Sequence, residues 1–193
     1  LFGKGDDEMG QVIPAVFSPN GMNFWTPQTK DTEQKSLAPY YYKDRRIQGF
    51  RNSHWINGGC TQDYGTVTLM PVSGNLKCLP EERSSSFLHD EEISTPYYYS
   101  VNLRDYKIKA EMTGTSRAGI FRFTYQGDGD AYLIVNPNSD EGERYIEYNA
   151  RTNEIRGYNP VHRIYQVWRE KAGFSCYFVI SLNLFSIFLS FSL

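Results

Sequence analysis

The sequence predicts an all-β chain, folded as an antiparallel β-sandwich. Three observations carry this. Apolar and polar residues alternate with a period of two in several short runs, turn-forming Gly and Asp clusters separate the runs, and no long 3.6-residue period occurs.

Taken in order, residues 1–28 are dense in Gly and Pro without a sustained period, which predicts loops joining short strands rather than helix. Residues 66–70 predict a strand ending at Pro71, before a turn at Val72-Ser73-Gly74. Residues 81–94 are polar and predict a long surface loop. Residues 97–103 are rich in aromatic and apolar side chains, and Ile108, Ala110 and Met112 then alternate with Lys107, Lys109 and Glu111. Phe121, Phe123 and Tyr125 alternate in the same way with Ile120, Arg122 and Thr124. The turn signal at residues 126–130 predicts an antiparallel return through residues 131–135. A second hairpin is expected from residues 144–148 and 154–158, with two further strands at 164–168 and 177–180. The tyrosines at 40–42 and 97–99 are expected to be strand aromatics packing on both faces.

The chain has 193 residues, enough to bury a sizeable core, and its net charge of −2 excludes the basic field that nucleic acid or an anionic membrane needs. Cys60, Cys78 and Cys176 cannot all pair within the chain, and their spacing fits neither a zinc site nor a redox motif. No charge follows Lys171, and residues 174–193 form an apolar run long enough to cross a bilayer. Interspersed serines and the lack of a flanking basic anchor favour a strand followed by a divergent tail, with a membrane anchor as the alternative.

Residues 49–65 contain Arg51-Asn52-Ser53-His54-Trp55, Gly58-Gly59-Cys60 and Asp63-Tyr64-Gly65, and Leu69-Met70-Pro71 follows. Upstream lie a Gly-x-x-x-Pro run from Gly10 to Pro14 and the Pro19-Asn20-Gly21-Met22 motif, then Tyr41-Tyr42-Lys43-Asp44 and Ile47-Gln48-Gly49-Phe50. Downstream come Phe87-Leu88-His89 with Glu92, Ser94-Thr95-Pro96, Tyr98-Tyr99-Ser100-Val101, Asp105-Tyr106, Ile108-Lys109-Ala110-Glu111 and the block at residues 172–178. These blocks, in this order, resemble the amino-terminal β-sandwich of glycoside hydrolase family 92, the calcium-dependent α-mannosidases. Cys176 stands where the family pattern favours Gly.

The resemblance implies residues 1–180 as an incomplete amino-terminal domain and residues 181–193 as a tail foreign to it, from a truncated or misread gene. It implies a protein that removes terminal α-linked mannose from glycans by inversion, is secreted or extracytoplasmic, and carries its acid, base and calcium ligands in a following (α/α) barrel. The acidic runs here, including Asp90-Glu91-Glu92, are read as solvated loop charges. No stretch has the EF-hand spacing.

What remains for this chain is one wall of a sugar pocket. A sugar needs an aromatic platform beside fixed donors and acceptors, and His54, Trp55 and Asn57 supply both, with Gly58 allowing close backbone approach. Asp63 would orient His54 or accept a sugar hydroxyl, and Gln11 and Trp25 are the further substrate contacts expected. Core packing of Trp55 and a structural role for His54 and Trp25 stand as the plainer readings, and a free-standing carbohydrate-binding module is the alternative function. His89 is expected to cap or pack rather than catalyse.

Overall fold

The computed structural model describes residues 13–29, 38–54, 65–138, 142–162 and 170–183, and regular structure within them is almost entirely strand. In chain order these are β1 (Phe24–Gln28), β2 (Arg46–Ile47), β3 (Gly49–Ser53), β4 (Val67–Ser73), the one-turn helix α1 (Pro80–Arg83), β5 (Ser85–Ser86), β6 (Ile93–Thr95), β7 (Tyr98–Leu103), β8 (Ile108–Gly114), β9 (Gly119–Tyr125), β10 (Ala131–Pro137), β11 (Tyr145–Asn149), β12 (Glu154–His162) and β13 (Lys171–Ser181). A 3-10 turn at His89–Glu91 precedes β6. The sheets, all antiparallel, run β1-β3-β4-β10, β6-β7-β8-β9, β11-β12-β13 and the short pair β2-β5.

The core forms where the two four-stranded sheets meet. Phe50, Met70 and Val72 of the first join Tyr99, Val101, Leu103, Ile108, Ala110 and Met112 of the second in one buried cluster. Each such side chain contributes about 1.5–3 kcal/mol by leaving water. Along β9 exposure alternates, so one face of its sheet meets solvent, whereas β3 is buried at every residue and so is covered on both faces. The all-β antiparallel expectation is met.

Four local expectations are corrected. β4 continues through Pro71 to Ser73, since β3 pairs only as far as Phe50↔Leu69 and Arg51↔Thr68, so no partner on that side needs the N–H that Pro71 lacks. The segment after β9 does not return beside it: β10 crosses to pair with β4 from Ala131↔Ser73 to Pro137↔Val67, while β9 pairs with β8. A Gly/Asp turn fixes a reversal of the chain but not the sheet it joins. Residues 81–94 are not a solvated loop, because Arg83, Ser85 and Phe87 are buried and the Arg83 guanidinium donates to the carbonyls of Gln48 and Cys78. Tyrosines 40–42 lie outside any strand.

The expected hairpin of β11 and β12 is present, closed by a turn with Asn153 at φ 55°. Residues 174–181 belong to strand β13, paired with β12, and no helix among the described residues is long and apolar enough to cross a membrane. The strand expected at 164–168 and the tail from residue 184 lie outside the described residues.

On β8, Glu111 sits opposite Arg122 of β9 and accepts two hydrogen bonds from its guanidinium, at 2.7 and 2.8 Å, and one from the Tyr98 hydroxyl at 2.7 Å. Arg122 foremost, then Tyr98, holds the Glu111 carboxyl down at about 2. A folded value below the unfolded one stabilises the fold above the ordinary glutamate range and loses that stabilisation as pH falls toward 2. Arg122→Ala should therefore move the midpoint of acid unfolding to higher pH, as followed by circular dichroism; an unmoved midpoint would show the pair to be idle.

Candidate functional site

The register of β1 on β3 assembles the candidate site. Phe24 pairs with Ser53 and Trp25 with Asn52, so the next residue along β3, His54, emerges opposite Asn23. The His54 Nε2–H donates to Asn23 Oδ1 at 2.7 Å. Asn23 Nδ2 in turn donates to the carbonyl of Arg117, in the turn between β8 and β9, and the Met22 N–H bonds the Ser116 carbonyl in the same turn. Two segments far apart in sequence, the Pro19-Asn20-Gly21-Met22 loop and the end of β3, are thus fixed to one corner. His54 is half-buried there, with its ring orientation set by Asn23.

Trp25 forms the floor beside it. Its backbone bonds Val16 in both directions, and its indole lies over the paired glycines Gly114 and Gly119, where a Cβ at Gly119 would fall 2.4 Å from the ring. Phe121 meets it edge-on at 5.1 Å between centroids. The Trp25 Nε1–H is buried without a hydrogen-bond partner among the described residues. Trp25, expected among the substrate contacts, packs here against Gly119 and Phe121.

Where the described chain resumes at Gly65 it packs closely against β3. Asn52 Oδ1 accepts from the Thr66 hydroxyl at 3.0 Å, and Gly65 lies so close to the Asn52 carbonyl that a Cβ would fall 2.1 Å from it. Trp55, Asn57, Gly58 and Asp63, expected along the loop after His54, and Gln11 lie outside the described residues. Asn23, which orients His54, was not among the expected site residues. The two stand 31 residues apart, a separation over which a single sequence carries no pairing signal.

A second polar cluster surrounds Glu92. Its carboxylate, 8% exposed, accepts from the hydroxyls of Tyr40 and Tyr99 and lies 2.8 Å from His89 Nδ1, while His89 Nε2 lies 2.6 Å from the Tyr42 carbonyl and the ring stacks on Tyr42 at 4.1 Å. This corrects the reading of residues 90–92 as wholly solvated, and it gives His89 a tying role between two loops. Every partner here is already engaged, so the cluster is built to hold rather than to react.

Carboxyls clearly displaced in pKa among the described residues all move down. Arg122 lowers Glu111, Lys171 lowers Glu143, Arg156 lowers Glu154, and at Asp105 hydrogen bonds from Ser86 and Arg46 outweigh the opposing effect of burial. A glycosidic general acid needs the opposite displacement. Calcium takes six to eight oxygen ligands. No group of three or more His, Cys, Asp or Glu that could hold a metal ion occurs among the described residues.

The sequence matches, over residues 1–187, the family model described as the glycosyl hydrolase family 92 N-terminal domain. No curated protein sequence matches. Among solved structures the fold is similar to the family GH92 inverting mannosidase BT2199 of Bacteroides thetaiotaomicron, at 31% identity and a TM-score of 0.72, over 90% of this chain and 22% of that one. It is also similar to the GH92 α-mannosidase BT3965 of the same organism, at 30% identity and a TM-score of 0.65, over 77% of this chain and 21% of that one. The chain thus spans about a fifth of the length of these enzymes.

Proposed function

Because the chain belongs to glycosyl hydrolase family 92, as its N-terminal domain, we propose that it supplies one lip of the substrate pocket of an inverting α-mannosidase. The substrate is terminal α-linked mannose of glycans, and the enzyme is secreted or extracytoplasmic. The acid, the base and the calcium ligands belong to polypeptide outside this chain, in an (α/α) barrel docked against it. The lip runs from Arg51 to Asp63: His54 and Asn57 bond sugar hydroxyls, Trp55 stacks on the apolar face of the ring, and Gly58 leaves room for it. Asp63 and Gln11 complete the polar rim, and Trp25 supports it from below.

The observation that supports this reading most directly is the corner built by Asn23 and His54. It fixes an imidazole at the root of the loop, half-open to solvent, by a bond that costs no rearrangement when a ligand arrives. The test replaces the corresponding fifth of BT2199 with this chain. A folded chimera should release mannose from α-mannobiosides, and His54→Ala in it should lower kcat/KM about 10- to 100-fold, the loss of one or two oriented hydrogen bonds. Mannose release by the 193-residue chain alone would overturn the placement of the acid and base.

A further inference from the structure

The outward face of the β11-β12-β13 sheet carries a row of three tyrosines in direct cross-strand register, Tyr145↔Tyr158 and Tyr158↔Tyr177. Neighbouring centroids are 5.5 Å apart in each pair, and the rings are 46%, 37% and 75% exposed. Solvent-facing positions of a sheet are ordinarily polar, so a ladder of half-bare rings is a departure.

Beside the ladder the sheet is deliberately uneven. Between the pairs Pro160↔Ser175 and His162↔Lys171, β12 advances two residues while β13 advances four, and Gly173 in the extra stretch takes φ 85°. Only glycine adopts that conformation without strain, and a bulge of this kind re-aims the side chains beside it. It turns Phe174 outward, half exposed, and opens a concavity of about 570 Å³. Its lining includes Tyr158, Tyr177 and Phe174 together with Glu143, Arg144 and Lys171. Lys171 Nζ holds Glu143 Oε2 at 2.8 Å, with the buried His162 ring behind that oxygen.

We propose that this concavity is a second sugar site, which takes one or two units of a neutral oligosaccharide. The volume lies within the range of small-ligand sites. The lining has the two chemistries a pyranose requires: ring faces for its C–H side, and a pinned carboxylate and ammonium with an exposed guanidinium for vicinal hydroxyls. One carboxylate against two cations is too small an excess to select a polyanion. A protein interface would need a flatter and larger surface than this dent. The site shares no residue with the His54 corner and does not rest on the mannosidase reading. It would hold a glycan chain without cutting it.

Isothermal titration of the 193-residue chain with α-linked mannotriose and, separately, cellotriose tests this. Binding of at least one of them is expected in the millimolar range. Tyr177→Ala and Arg144→Ala should each weaken it about tenfold, the worth of one stacked ring or one charged hydrogen bond, with an unchanged melting temperature because both side chains are exposed. His54→Ala should leave it untouched. No binding of either trisaccharide, binding that survives Tyr177→Ala, or loss on His54→Ala would each overturn the proposal. So would a Tyr177→Ala effect confined to self-association in sedimentation velocity.

Discussion

Gly65→Ala should destabilise the chain by about 1–3 kcal/mol, the usual cost of forcing a methyl group into packed space. The added Cβ would fall 2.1 Å from the Asn52 carbonyl oxygen and 2.7 Å from Arg51 Nε, and neither neighbour can retreat. Asn52 is held in register against Trp25, and its side chain accepts from Thr66; Arg51 is 2% exposed in a strand buried throughout. For a domain of this length the melting temperature should drop by roughly 2–12 °C. Gly127→Ala is the control, since a Cβ there meets nothing within 4 Å, and its stability should stay within about 0.5 kcal/mol of the parent. The strain also has an address. Gly65 closes the loop proposed as the pocket lip, so in the active chimera Gly65→Ala should lower kcat/KM even at temperatures where the protein stays folded. Equal stability of the two variants would mean that Gly65 can move away from β3, and the loop would then lose its fixed base.

That grip shows what a single sequence can and cannot carry. The period-two runs at β8 and β9 and the hairpin of β11 and β12 were legible because strand pattern and turn are both local. The partner of β10 was not, since the same Asp-Gly turn can feed a neighbouring strand or the opposite layer, and here β4 offers the edge that buries Ile134 and Tyr132 against the core. Residues 81–94 looked like a surface loop because their composition is polar. Burial of Arg83 is repaid by carbonyls from residues 48 and 78, which composition does not foretell. His54 stands out in the sequence through its motif, whereas Asn23, which it bonds in the structure, does not. The tyrosine ladder escaped notice for a related reason. Tyr145, Tyr158 and Tyr177 are unremarkable one at a time and become a surface only when register aligns them.

Glu92→Ala should cost more than any other single change considered, about 3–5 kcal/mol, because it strands buried donors that have been built around one acceptor. Tyr99 is fully buried and Tyr40 nearly so, and both hydroxyls donate to the Glu92 carboxylate, which His89 Nδ1 also faces at 2.8 Å. Glu92→Gln keeps the shape and one acceptor oxygen, so it should lose less. Tyr40→Phe, which leaves the carboxylate its other donors, should lose only about 1 kcal/mol, the net worth of one hydrogen bond. Urea denaturation of the three variants checks that order. The same cluster sets a second signature. Burial first, and then the Glu92 charge, push the phenols of Tyr40 and Tyr99 above the ordinary tyrosine value of 10. Below pH 10 both are protonated whether folded or unfolded, and stability is indifferent to them. Above it the unfolded chain ionises first, so each phenol should remove about 1.4 kcal/mol per pH unit until its folded value is passed. Tyr40→Phe combined with Tyr99→Phe should therefore flatten the alkaline limb of the stability curve while leaving its neutral plateau only modestly lower. An alkaline limb as steep as in the parent would mean that these phenols open to solvent before the fold does, and that the arrangement around Glu92 is looser than its geometry implies.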